Sequence, residues 1–133
     1  MPIMRTLHLV VGGLGIVLFV LTGQYMARVV GIENLGDTHR MLYRSLHIYL
    51  LGASAANVCI GCYMPLAKSP GLLRTLGSLA VLASAVLLAI SFFVEATTVS
   101  LERPIASSGL YLLFGAAVLL LLAESIDRFR QRR

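Results

Sequence analysis

Four side chains with polar or titratable ends lie at helical spacing in the stretch DTHRMLYRSLHIYLL, residues 37–51. Arg40, Tyr43, Arg44 and His47 occupy positions i, i+3, i+4 and i+7, which places them on one face of a helix. Guanidinium groups bind anions through paired N–H donors, and an imidazole exchanges protons near neutral pH. This stripe therefore predicts a shallow polar site for a lipid headgroup or a quinone ring.

Arg28, at the end of the first apolar segment, and Glu95, at the end of the third, could join the same cluster. Interfacial anchoring is the alternative interpretation: arginines extend to the headgroups, tyrosines join the aromatic belt and Glu95 pairs with an arginine. Anchoring is favoured for Arg40 and Tyr43. Both interpretations stay open for Arg44 and His47.

Cys59 and Cys62 form a C-x-x-C motif, a spacing that marks redox chemistry in thioredoxin-like folds. Here the motif lies inside an apolar segment, with no basic neighbour to stabilise a thiolate and no second cysteine pair. Free cysteine is also an ordinary small residue in apolar surroundings. We favour this packing role over a redox role for the pair.

Haem binding requires two axial ligands at one depth on facing helices. His8 is expected at one membrane surface, bonded to backbone or lipid, whereas His39 and His47 belong to the other end of the second segment. The latter two are ~12 Å apart along one helix. Only a haem shared by His47 of two chains, or a haem with a single protein ligand, remains possible.

Asn57 is the only amide expected near the midplane of the membrane, where it would be costly if it faced lipid. We expect it to bond a serine or a backbone carbonyl of a neighbouring helix. No Asp or Glu lies near the midplane of any segment, which argues against a proton-coupled exporter. The sequence contains no metal-ligand spacing, phosphate-binding glycine loop or nucleophile–base pair.

The elements that must position these residues are four apolar segments. The chain is 58% hydrophobic and 13% charged, with a mean hydropathy of +0.87, so lipid must be part of its solvent. Each segment approaches the ~20 residues that cross a bilayer as a helix. The predicted helices are about 5–27, 38–64, 72–95 and 104–127, in a single domain of residues 1–133.

Short connections make successive helices antiparallel, which predicts an up-down bundle. Asp37 is a candidate N-cap that would extend the second helix into the outer headgroup layer. Small residues mark the expected contact faces. They are Gly12, Gly15, Gly52, Ala53, Ala56, Gly61, Gly77, Ser84, Ser91, Ser108 and Gly115.

Basic residues predict the orientation. With four spans, both termini and the connection at 65–71 share one side, which carries seven of the eleven Lys and Arg residues and a net charge of +5, against zero on the other side. The positive-inside rule then places both termini in the cytoplasm. The basic charge is thus a topology signal, with no nucleic-acid partner expected.

Together these patterns predict an all-α integral membrane protein, an antiparallel four-helix bundle of a bacterial inner membrane. We expect no enzymatic activity. The favoured role is an accessory or assembly subunit, or a lipid-headgroup or quinone-binding module, in a homo-oligomer or larger membrane complex. The alternative from another class is a membrane redox protein, linked to quinone and, in one version, carrying haem b.

Overall fold

The structure, a computed structural model, describes residues 2–63, 71–98, 100 and 102–131. Four helices span most of this range: α1, Pro2–Tyr25; α2, Asp37–Tyr63; α3, Leu72–Glu95; and α4, Pro104–Gln131. All four are long and apolar enough to cross a membrane. The predicted all-helical fold with four potential membrane spans is therefore confirmed.

The connection between α1 and α2 is largely helical. A π-helical segment, Met26–Val30, continues α1, and a 3₁₀ turn, Ile32–Asn34, precedes α2. Gly31 joins the two with a φ of 63°, a left-handed conformation that glycine adopts without strain. The predicted connection at residues 65–70 and the tail residues 132–133 lie outside the described residues.

The start of α2 differs from prediction in its cap. The helix does begin at residue 37, but the backbone N–H of Arg40 bonds the carbonyl of Gly36, and the Asp37 carboxylate instead pairs with the Arg40 guanidinium. Asp37 is thus the first helical residue, where its negative charge favours the helix N-terminus. With 27 residues, α2 is ~40 Å long.

Contacts between neighbouring helices join residues early in one helix to residues late in the next. His8 and Thr22 of α1 bond Asn57 and His47 of α2, respectively. Near their inter-helix connections, α3 and α4 meet through Glu95 and Ala106, and at their other ends through Arg74 and Glu124. We call the end with Arg5, Tyr63, Arg74 and Arg128 the basic end, and the end with Asp37, Glu95 and Pro104 the opposite end.

Packing is closest within the pairs α1–α2 and α3–α4. The two pairs meet mainly through α2 and α3, while α4 touches α2 only sparsely. Leu46, Leu50, Leu88 and Phe92 are almost fully buried in the centre. The fold therefore has two central helices and two flanking ones, which leaves a gap between α2 and α4.

Glycines allow close approach at several predicted contact positions. A Cβ added at Gly12, Gly61 or Gly77 would lie within 3.0 Å of a side-chain atom on the adjacent helix. By contrast, Gly52 and Gly115 have no other helix within 4 Å of an added Cβ, so their prediction as contact positions was wrong. Both lie on exposed faces of their helices.

Candidate functional site

The arginines of the predicted stripe on α2 pair with nearby carboxylates at the surface of the opposite end. Arg40 binds Asp37, and Arg44 lies 3.3 Å from Glu33 of the 3₁₀ turn. The Arg44 and Glu33 side chains are 56% and 76% exposed. Exposed pairs of this kind contribute little to stability, typically about 0–1 kcal/mol.

His47 and Tyr43 turn away from these arginines and into the protein. The His47 ring stacks on Phe19 at a centroid distance of 4.0 Å, and its Nδ1 lies 3.1 Å from Thr22 Oγ1. Tyr43 is buried, edge-on to Phe92 at 6.0 Å. The structure therefore separates Arg44 from His47, because Arg44 faces outwards and His47 faces α1.

Glu95 does not pair with an arginine among the described contacts. Its two carboxylate oxygens accept hydrogen bonds from the backbone N–H groups of Ile105 and Ala106, at 2.7 and 2.9 Å. These donors belong to the first turn of α4, where a negative charge is favourable. Glu95 is thus a side-chain cap that α3 supplies to α4, and Arg28 lies apart from it, exposed on the π-helical segment.

Arg103 makes the connection between α4 and α2 at the opposite end. Its Nη1 donates to Ser45 Oγ at 3.0 Å, and its Nη2 is buried without a partner among the described residues. This contact joins the residue that precedes α4 to α2 at the opposite end.

A buried polar network links three helices nearer the basic end. His8 of α1 lies 2.7 Å from Asn57 Oδ1 of α2 through Nδ1, and 2.5 Å from Ser78 Oγ of α3 through Nε2. Because the amide oxygen can only accept, Nδ1 carries the proton and Nε2 accepts from the serine hydroxyl. Asn57 also donates to the carbonyls of Ala53 and Val81.

The network confirms a bond of Asn57 to a neighbouring helix and corrects the expectation for His8. His8 is fully buried, with no contact to the surface. The sequence predicted His8 at the membrane surface because this residue lies near the start of the first apolar segment. The available signal was register: His8, Asn57 and Ser78 each lie six residues from the basic-end terminus of their helix.

Cys59 and Cys62 are both exposed and unbonded to each other. Next to them, Arg5 Nε donates to the Gly61 carbonyl at 2.8 Å and Arg5 Nη2 to the Cys62 carbonyl at 3.4 Å. Arg5 therefore satisfies carbonyls in the last turn of α2, which lack partners within the helix. These two are the only cysteines in the sequence, so the chain offers no second thiol pair for exchange with them.

A groove lies between α2 and α4 with α3 as its floor, and its volume is about 690 Å³. We call it the α2–α4 groove. Its lining residues are Ala56, Cys59, Ile60 and Tyr63 of α2, Arg74 and Val81 of α3, and Leu113, Phe114, Ala117, Leu120, Leu121 and Glu124 of α4. The walls are apolar, and the charged residues lie together at the basic end.

The charges at this end of the groove form an ion-pair network. Arg74, with a side chain only 9% exposed, lies 2.8 Å from Glu124 and 3.0 Å from Asp127. Arg128 Nε donates to Glu124 at 3.0 Å. Sequence reasoning counted these residues only as topology signals. Two carboxylates compensate the buried guanidinium, which would otherwise be costly in a low-dielectric environment.

Within the described ranges, no group of three or more His, Cys, Asp or Glu side chains could hold a metal ion. His8 uses both ring nitrogens in bonds to protein groups and lies towards the other end of the molecule from His47. Haem binding and quinone binding stay predictions. Comparison with protein-family models, curated proteins and solved structures finds no match to the chain.

Proposed function

We propose that this protein is a non-enzymatic membrane protein that binds a membrane amphiphile in the α2–α4 groove and serves as an accessory subunit in a membrane complex. The observation that carries the proposal is the groove itself: about 690 Å³ of apolar-walled space that ends in ion-paired charges. An amphiphile needs this combination of an apolar channel and a polar end.

The groove is better suited to binding than the stripe predicted on α2. At the stripe, Arg40 and Arg44 already pair with carboxylates, and His47 stacks on Phe19 between α1 and α2. The groove instead offers wall atoms of three helices to one ligand. Arg40 and Arg44 then serve to anchor α2 at the membrane surface, whereas Tyr43 and His47 pack inside the protein.

Substitution of Ala117, an exposed lining residue of α4, tests the proposal. The Ala117→Phe side chain would fill part of the groove, so we expect the purified variant to retain less lipid than the native protein when both are examined by native mass spectrometry. Ala55→Phe is the matched control, because Ala55 is exposed on α2 and does not line the groove.

Both variants must keep the native helical content by circular dichroism. Equal lipid retention in the native protein, Ala117→Phe and Ala55→Phe would refute binding in the groove. The visible spectrum of the same preparation, before and after dithionite, checks the haem alternative at no further cost.

A further inference from the structure

We infer that the occupant of the α2–α4 groove is an anionic phospholipid of the leaflet at the basic end, with one acyl chain in the groove and its phosphate at the mouth. This inference rests on the proposed function and specifies the chemical class of the ligand. Three features of the groove support it: its length, its confinement to one half of the molecule and the exposed guanidinium at its mouth.

The groove is about as long as one leaflet. Along α4 its lining runs from Leu113 to Glu124, a rise of ~16 Å at 1.5 Å per residue. The hydrocarbon core of a bilayer is ~30 Å thick, so one leaflet contributes about half of that. An acyl chain that enters from the basic end would therefore fill the groove and stop near the midplane.

The lining of the groove is confined to the half of the molecule at the basic end. Towards the opposite end it stops at Ala56 on α2 and Leu113 on α4, and about 15 Å further along, Arg103 bonds Ser45 of α2. A transmembrane helix of a second chain needs a path through both leaflets. A groove whose lining is confined to one leaflet favours a lipid chain over such a helix.

The mouth of the groove combines an aromatic side chain with an exposed guanidinium. Tyr63 lines the mouth and is 86% exposed, as expected for a tyrosine at a membrane interface. Arg74 and Arg128 balance the charges of Glu124 and Asp127, but Arg128 uses only Nε in its described ion pair, and its side chain is 72% exposed. Its two terminal nitrogens can therefore face a phosphate.

The positive charge of Arg128 adds a headgroup preference to this contact. Basic residues near a bilayer surface attract anionic lipid by about 1 kcal/mol each. The mouth therefore selects phosphatidylglycerol over a zwitterionic lipid with the same chains.

The experiment titrates delipidated full-length protein with phosphatidylglycerol or phosphatidylcholine of identical acyl chains and measures the first binding event by native mass spectrometry. We expect tighter binding of phosphatidylglycerol. Arg128→Gln should weaken that binding about fivefold and leave phosphatidylcholine binding unchanged. Arg28→Gln is the matched control, because Arg28 is an exposed arginine at the opposite end.

The outcomes separate this inference from the proposed function. Equal binding of both lipids that Ala117→Phe abolishes would overturn the headgroup preference and keep the groove. An equal effect of Arg28→Gln and Arg128→Gln would also overturn the headgroup assignment. Binding that Ala117→Phe leaves intact would overturn the groove itself. A dimer that Ala117→Phe dissociates, with no lipid effect, would assign the groove to a second copy.

Discussion

At the scale of single residues, His8 joins three helices through buried polar contacts. It bonds Asn57 of α2 and Ser78 of α3, and none of the three side chains has access to the surface. A buried polar group without a partner costs about 1–3 kcal/mol, so each member depends on the others. The network therefore fixes the relative depth of α1, α2 and α3.

His8→Ala tests this role. The substitution leaves Asn57 Oδ1 and the Ser78 hydroxyl without their partner, and we expect a loss of about 2 kcal/mol in the free energy of unfolding in detergent. Val10→Ala, which truncates a half-exposed side chain on the same helix, should cost clearly less. Additive losses in a His8→Ala, Ser78→Ala double-mutant cycle would contradict a coupled network.

Two further residues show where sequence reasoning stops at this scale. Glu95 was grouped with the arginines of the stripe, and Arg74 was counted as a topology charge. In the fold, Glu95 caps α4 and Arg74 is buried between two carboxylates. Helical periodicity gives the face on which a residue lies. It does not give the rotation of that face towards a particular neighbour, and these roles depend on that rotation.

At the scale of helices, the predicted and observed bounds coincide for α3 and differ by four residues at the end of α4. The predicted ranges 72–95 and 104–127 compare with Leu72–Glu95 and Pro104–Gln131. Apolar length, proline and glycine determine these limits, and all three are visible in the sequence. The π-helical continuation of α1 was not predicted. In it, Met26–Val30 change the hydrogen-bond register of the helix before Gly31 ends the helical segment.

The α1–α2 interface depends on glycine at defined positions. A Cβ at Gly12 would lie 2.8 Å from the Val58 backbone nitrogen and 2.9 Å from the Ser54 carbonyl oxygen, and backbone atoms cannot yield without moving the helix. We therefore expect Gly12→Ala to destabilise the protein by about 1–3 kcal/mol in thermal unfolding.

The adjacent glycine supplies the control. A Cβ at Gly13 would meet nothing within 4 Å, so Gly13→Ala should be neutral or slightly stabilising through its better helix propensity. Equal destabilisation by both substitutions would show that close approach of α1 and α2 at Gly12 is not the cause.

At the scale of the whole molecule, composition predicted four spans, but the groove could not be predicted. An ideal up-down bundle places every helix against two neighbours. Here α4 packs on α3 and stays apart from α2 over the half of the molecule nearer the basic end. That divergence results from the contacts of Arg74 with Glu124 and Asp127 and of Gly77 with Leu120, which tie α4 to α3 alone.

The distribution of basic residues also predicts the orientation of the bundle in the membrane. Seven basic residues on the side of the termini, against four on the other, predict that both termini are cytoplasmic. Green fluorescent protein fused after Arg133 should therefore fluoresce. Alkaline phosphatase fused there should be inactive, because its disulfides form only after export.

A reporter inserted next to Ser100, in the connection between α3 and α4, should give the opposite pattern and serves as the internal control. Active phosphatase after Arg133 would refute the predicted orientation. The groove would then open into the outer leaflet, while its length, its confinement to one half of the molecule and the exposed guanidinium of Arg128 would be unchanged. Lipid selectivity and membrane orientation are thus separate properties of the fold, and each can fail without the other.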